Sequence, residues 1–146
     1  MTDACLPRTR DNLLATLLLF DVEHSATYAP GKGLTWCNRY VADVTKALDC
    51  PVPFRLANDQ VLYLDSVEAA MDGWSRATVP EALASLERGE PVVVGWYNPE
   101  GHGHVAMGTP SSEKGLHISQ AGARCFLSKP VSSGFGSHAV KIWVHK

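Results

Sequence analysis

The chemistry-bearing residue that stands out is Cys37, in the run Thr35-Trp36-Cys37-Asn38-Arg39-Tyr40-Val41. It heads an apolar stripe of Cys37, Tyr40, Val41, Val44 and Leu48, stepping by three and four. That spacing predicts an amphipathic helix over 37–48, ended by Asp49, Cys50, Pro51 and Pro53. A cysteine in the first turn meets unpaired N–H groups and the positive end of the helix dipole. Both favour the thiolate, the reactive form, and predict a pKa below the ordinary value. The same stripe also fits a plain core cysteine packed as a small hydrophobe. A nearby base decides between the two.

Two candidate bases follow in Gly101-His102-Gly103-His104-Val105-Ala106-Met107. His104 opens an apolar strand, which would hold its ring on rigid structure. His102, between glycines, has less to fix its rotamer. An H-x-H pair on one strand face is also a metal-ligand pattern, but no Asp, Glu or Cys at ligand spacing completes it, so no metal or cofactor is expected. His24, His117, His138 and His145 read as surface or rim residues. A general base needs a group to orient its second nitrogen, and Leu116-His117-Ile118-Ser119-Gln120 offers one. Alternation puts Leu116, Ile118 and Gln120 on one face and His117 with Ser119 on the other. The apolar face is expected under the helices, where Cys37 points, leaving Gln120 as a polar group at the end of a buried face. Gln120 either orients the base or bonds a loop backbone. His117 is the competing orienter.

These residues need elements to position them. The first half of the chain reads as helical: 11–20, with Leu13, Leu14, Leu17 and Leu18 at helical spacing; 37–48; a helix opened by a capping box of Asp65 and Glu68 and running to Trp74; and 81–88, started by Pro80 and closed by Gly89. The second half changes period. Strands are expected at 91–97, 104–108, 116–120 and 139–145, joined by connections short enough for an antiparallel meander. Helices followed by consecutive strands predict an α+β fold with the helices packed on one sheet.

The 146 residues predict one domain, large enough for a core without staples. With 45% hydrophobic and 19% charged residues, disorder is not expected. A net charge of −2 without a basic run argues against a dedicated nucleic-acid surface. Cys5, Cys50 and Cys125, the other cysteines, allow at most one disulfide among themselves and form no CxxC. The apolar run 13–20 is too short to span a membrane, for which about 20 residues are needed. Asp3 and Asp11 and the lack of a small-x-small site argue against a cleaved signal peptide. A soluble protein is expected, made in the cytoplasm.

Together, Trp36-Cys37-Asn38-Arg39-Tyr40-Val41, Gly103-His104-Val105-Ala106 and Ile118-Ser119-Gln120-Ala121-Gly122 resemble the papain-like bacterial cell-wall cysteine hydrolases, the CHAP domains and NlpC-type peptidases. The resemblance covers about residues 25–146, within a single catalytic domain of 1–146. It implies a papain-like fold, with Cys37 as nucleophile, His104 as base and Gln120 as orienter. It further implies Tyr28 at the oxyanion site, and Trp36, adjacent to Cys37, is the aromatic expected to touch substrate. Two departures stand out: NlpC-type enzymes carry Asp-Cys-Ser-Gly where this chain has Trp36-Cys37-Asn38-Arg39, and their third member is more often His, Asn or Glu than Gln. Phe135, between Gly134 and Gly136, is a loop-tip candidate for substrate contact. The implied substrate is peptidoglycan, cut at an amide of the peptide stem or cross-link. The chain would be an antibacterial effector, with an immunity protein as partner, or a phage-type lysin. Either would reach the wall by a secretion machine or by lysis. The alternatives are a deamidase or transglutaminase-like toxin acting on a host protein, and a non-catalytic binding relative.

Overall fold

The computed structural model describes residues 6–146; Cys5 lies outside them. Helix α1 (Arg10–Leu19) is capped by Thr9, whose hydroxyl accepts from Asn12 N–H at 3.1 Å. It buries Leu13 and Leu17 and leaves Leu18 and Leu19 exposed, so its nearly continuous apolar run is only half used. Helix α2 (Cys37–Ala47) follows the expected stripe and buries Cys37, Tyr40, Val41 and Val44. Trp36 at its N-cap provides no side-chain cap.

Helices α3 (Ala57–Leu64) and α4 (Val67–Asp72) follow. The cap of α4 is Ser66, whose hydroxyl accepts from Ala69 N–H at 3.2 Å, rather than the expected Asp65. Asp65 instead accepts from Trp143 Nε1 at 2.8 Å and Lys141 Nζ at 3.2 Å. Burial pushes its carboxyl up, but those bonds and the nearby Lys141 and Arg76 charges hold it below its ordinary value. The helix stops at Gly73, whose φ of 120° few side chains tolerate, so Trp74 opens strand β1 (Trp74–Arg76) instead of ending a helix. Helix α5 (Val79–Glu87) starts at the reciprocal capping box of Thr78 and Glu81.

The remaining elements are β2 (Val92–Trp96), β3 (His104–Thr109), β4 (His117–Gln120), β5 (Phe126–Pro130), α6 (Ser132–Phe135) and β6 (Lys141–His145). The fold is α+β, with a six-stranded sheet in the order β1-β6-β2-β3-β4-β5 and every neighbouring pair antiparallel. Strands β2, β3 and β4 follow the expected meander, which the unexpected β5 continues in place of the fourth expected strand. Strand β6 returns to the other edge of β2, opposite Val92, Val93, Val94 and Gly95.

Register and alternation define two faces. One carries Val93, Gly95, Val105, Met107, Ser119 and Trp143, and α2 and α3 pack on it. The other carries Val94, Trp96, His104, Ala106, Ile118, Gln120 and Ile142. There α5 covers the β6 side, while Gly134 and Phe135 of α6 cover Ile118, Gln120 and His104. Val92, Val93, Val94, Val105, Ala106 and Met107 have no exposed surface. At about 1.5–3 kcal/mol per large apolar side chain buried, this two-sided core is what fixes the strands that carry the site. Among the described residues, no helix is long and apolar enough to cross a membrane.

Candidate active site

Cys37 begins α2 and is only 7% exposed, so its sulfur lies under the surface rather than on it. The backbone N–H groups of Val105, Asn38 and Cys37 itself are directed at that sulfur. Two of these belong to the open end of a helix that has no side-chain cap. The third comes from β3. The β3–β4 ladder ends at Met107↔Ser119, so Val105 lies beyond it and its N–H meets the thiol.

His104 is the first residue of β3, opposite Trp96 of β2. Its Nε2 lies 2.7 Å from Gln120 Oε1. Gln120 Nε2 donates to Arg124 O at 2.9 Å, which leaves Oε1 as the acceptor facing the imidazole. His104 therefore carries its proton on Nε2 and keeps the Nδ1 lone pair free. Gln120 is 4% exposed, and this pair of bonds satisfies a polar side chain that a core position otherwise disfavours. The side chain orients the imidazole and bonds the loop backbone together, where the sequence offered these as alternatives.

The layer that holds Gln120 is the opposite of the expected one. Ser119, not Gln120, faces α2, and its hydroxyl lies 2.8 Å from that of Tyr40. Gln120 and Ile118 face α6. All four residues of β4 are buried, so apolarity alone does not show which face meets the helices. The thiol and the imidazole thus approach the start of β3 from its two faces.

Charge in the resting site also departs from expectation. Burial pushes the Cys37 thiol above its ordinary value, and the three N–H groups pull the other way without offsetting it. Burial likewise holds the His104 imidazole below its ordinary value, against the Gln120 hydrogen bond. At neutral pH both groups are uncharged: a thiol and a neutral imidazole, not a standing thiolate–imidazolium pair. The helix end is real, but desolvation outweighs it.

Tyr28 is not joined to this cluster by its hydroxyl, which donates to Asp43 Oδ2, six residues along α2 from Cys37. Burial and that bond push the phenol far above its ordinary value. Its ring packs edge-on against Tyr40, with centroids 5.3 Å apart. An oxyanion role would require the hydroxyl to leave Asp43. Trp36 stays next to Cys37, partly buried against the core. His102 is exposed, and its carbonyl accepts from Asn98 Nδ2 at 3.0 Å. Among the described residues, no three His, Cys, Asp or Glu side chains converge on a common point.

Several other residues sit differently from their sequence reading. His117 and His145 are buried, at 2% and 7% exposure, rather than on the surface. His138 is exposed as expected, and it stacks on Trp96 with centroids 3.6 Å apart. Phe135 is no loop tip: it is buried, and its ring centroid lies 4.8 Å from that of His104. The Cys37 and Cys125 thiols are free, and Cys125 donates to Tyr28 O at 3.4 Å.

Asn58 was not singled out from sequence. Its amide donates to Asn98 O at 2.8 Å and Gly101 O at 2.9 Å, and accepts from Asn98 N–H at 2.9 Å. The loop before His104 is pinned at both ends by this one side chain. Gly103 is its complement, because a methyl group there would overlap Asn58 Oδ1 and Trp96 O. The sequence carried a faint signal for it in the glycine directly before His104.

No protein-family model matches the chain, and no curated protein matches it either. Fold and site therefore define its class: an α+β protein with a cysteine at a helix N-terminus and a His–Gln pair on adjacent strands.

Proposed function

We propose that this chain is a papain-like cysteine hydrolase that cleaves an amide bond in the peptide stem or cross-link of peptidoglycan. The observation that carries the reading is the His104–Gln120 hydrogen bond at 2.7 Å, together with a thiol at the head of α2 that meets the backbone N–H of Val105, the residue after His104. It leaves Nδ1 of His104 as the available base, and core packing alone does not require a glutamine there. The resemblance of the three motifs to CHAP and NlpC-type enzymes supplies the substrate.

In the proposed reaction, the Cys37 S–H proton passes to His104 Nδ1 as the sulfur attacks the amide carbonyl. Because both groups rest uncharged, proton transfer accompanies attack rather than preceding it. The carbonyl oxygen gains the electron pair and is met by the uncapped N–H groups at the start of α2. One such donor contributes about 10²–10³ in rate. The C–N bond then breaks, and the imidazolium protonates the leaving amine. Water, deprotonated by Nδ1, opens the thioester and releases the acid and the free thiol. Gln120 accepts from Nε2–H throughout, and this bond strengthens while the ring is charged. Trp36, next to the nucleophile, is the aromatic placed to touch substrate. An enzyme of this kind works in the cell wall, delivered as an effector or released by lysis.

The test is digestion of purified sacculi, read by mass spectrometry of the soluble fragments. Wild type releases peptide-stem or cross-link products, and Cys37→Ala releases none. Unchanged release by that variant overturns the mechanism. Ammonia release from a protein substrate, with intact sacculi, moves the same residues to a deamidase.

A further inference from the structure

We propose that α6 is a positioning element of the catalytic dyad: the Gly134 backbone seats the Gln120 amide, and the Phe135 ring seats the His104 imidazole. The inference rests on the reading of His104 and Gln120 as base and orienter.

Gln120 is held from three directions. Its Nε2 is bound to Arg124 O, its Oε1 receives His104 Nε2–H, and the third side is closed by α6. A methyl group at Gly134 would overlap Gln120 Oε1 and lie 3.0 Å from both Gln120 Cδ and Ile118 Cδ1. Only a residue without a side chain lets this backbone lie against the amide. Gly134 is helical and does not need a positive φ, so its glycine serves the contact and not the backbone. Gly122 closes the neighbouring side, where a methyl would sit 3.3 Å from Gln120 Nε2 and 3.5 Å from His104 Cε1.

Phe135 completes the seat. Its ring is 2% exposed and tilted by 56° against that of His104. An imidazole can turn about its side-chain bonds, and rotation would take Nε2 away from Gln120 and put another ring atom in its place. The aromatic wall opposes that rotation, and the seated amide fixes which nitrogen holds the proton. A short helix after the last strand of the meander therefore acts on the base through Gln120 without touching substrate.

The experiment compares wild type with Gly134→Ala by two-bond ¹⁵N–¹H correlation of the His104 ring. Alanine is the better helix former, so the substitution perturbs the Gln120 contact and not the helix. Wild type is expected to show a single Nε2–H tautomer. In Gly134→Ala the amide is displaced, and the ring becomes a mixture of tautomers. Its titration midpoint moves down, because an acceptor for the imidazolium is lost. Hydrolysis of sacculi falls several-fold in kcat, by no more than the roughly tenfold expected for loss of the Gln120 amide, with KM little changed. Gln120→Ala/Gly134→Ala behaves as Gln120→Ala alone. Should Gly134→Ala not fold, Phe135→Leu decides by the same spectra. A wild-type tautomer and midpoint in the deciding variant overturn the proposal. Failure of the wild-type protein to cleave sacculi would overturn the proposed substrate, while the spectra still decide the role of α6.

Discussion

Gln120→Ala removes an amide that makes two hydrogen bonds, to His104 Nε2 at 2.7 Å and to Arg124 O at 2.9 Å. With the imidazole neutral, the first is an ordinary hydrogen bond worth about 0.5–1.5 kcal/mol; with the ring protonated it is charge-assisted and worth about 1.5–3 kcal/mol. The difference, about 1–1.5 kcal/mol, is what the amide contributes to the charged transition state over the ground state. At 1.36 kcal/mol per decade, that predicts a fall in kcat of about 5- to 13-fold. Leaving the buried His104 N–H without an acceptor costs folding stability as well, about 1–3 kcal/mol. The assay is the initial rate of muropeptide release at saturating enzyme-accessible sacculi, with a thermal melt on the same sample. A folded variant whose rate stays within twofold of wild type refutes the orienting role. A loss as complete as that of Cys37→Ala would refute the arithmetic, because an orienter alone does not carry the whole reaction.

Other outcomes follow from the same geometry. The His104 pKa is lower in the folded state than in the unfolded one, so the unfolded chain binds more protons in the window between them. The stability from this residue is present above the ordinary histidine value, about 6.5, and is lost as pH falls from there through the folded value. His104→Gln should flatten that part of a melting-temperature profile, and an unchanged slope counts against a buried neutral imidazole. Asn58→Ala removes three loop hydrogen bonds and should speed amide exchange across 98–103, lowering stability by about 1–3 kcal/mol. Hydrogen-exchange mass spectrometry checks it, and wild-type protection of that loop would contradict the pinning.

The members of the candidate site could be found in the sequence because each is a rare type on a regular element. Cys37 heads a helix with a clean stripe, and His104 begins an apolar strand. Their surroundings could not be found in this way, for reasons that are all nonlocal. The face of Gln120 was misread because β4 is buried on both sides, so its apolar alternation has no unique partner. The thiol pKa was misjudged because helix-end electrostatics are local and written in the chain, while burial is set by the whole fold. Tyr28 has a well-placed sequence position, yet its hydroxyl is taken by Asp43. Asn58, Gly134 and Phe135 act across long stretches of chain, and nothing within a few residues of each announces the partner. Helix α3, β1, β5 and α6 were missed for related reasons. Leu56 gives α3 no capping side chain, β1 has three residues, and β5 is an edge strand that carries Lys129 and ends at Pro130.

The placement of β6 sets the order in which this protein can be assembled. It is the last of the described strands in sequence, yet it lies between β1 and β2. Before residues 141–145 join, β1 has no partner and β2 presents a bare edge. The meander that carries His104 and Gln120 can close on itself first. Its two-sided core, with Trp143 pinned to Asp65, cannot. Long-range pairing of this kind raises contact order and slows folding. The start of β3, whose neighbour β2 needs β6 along its other edge, is therefore fully braced only once residues 141–145 have paired.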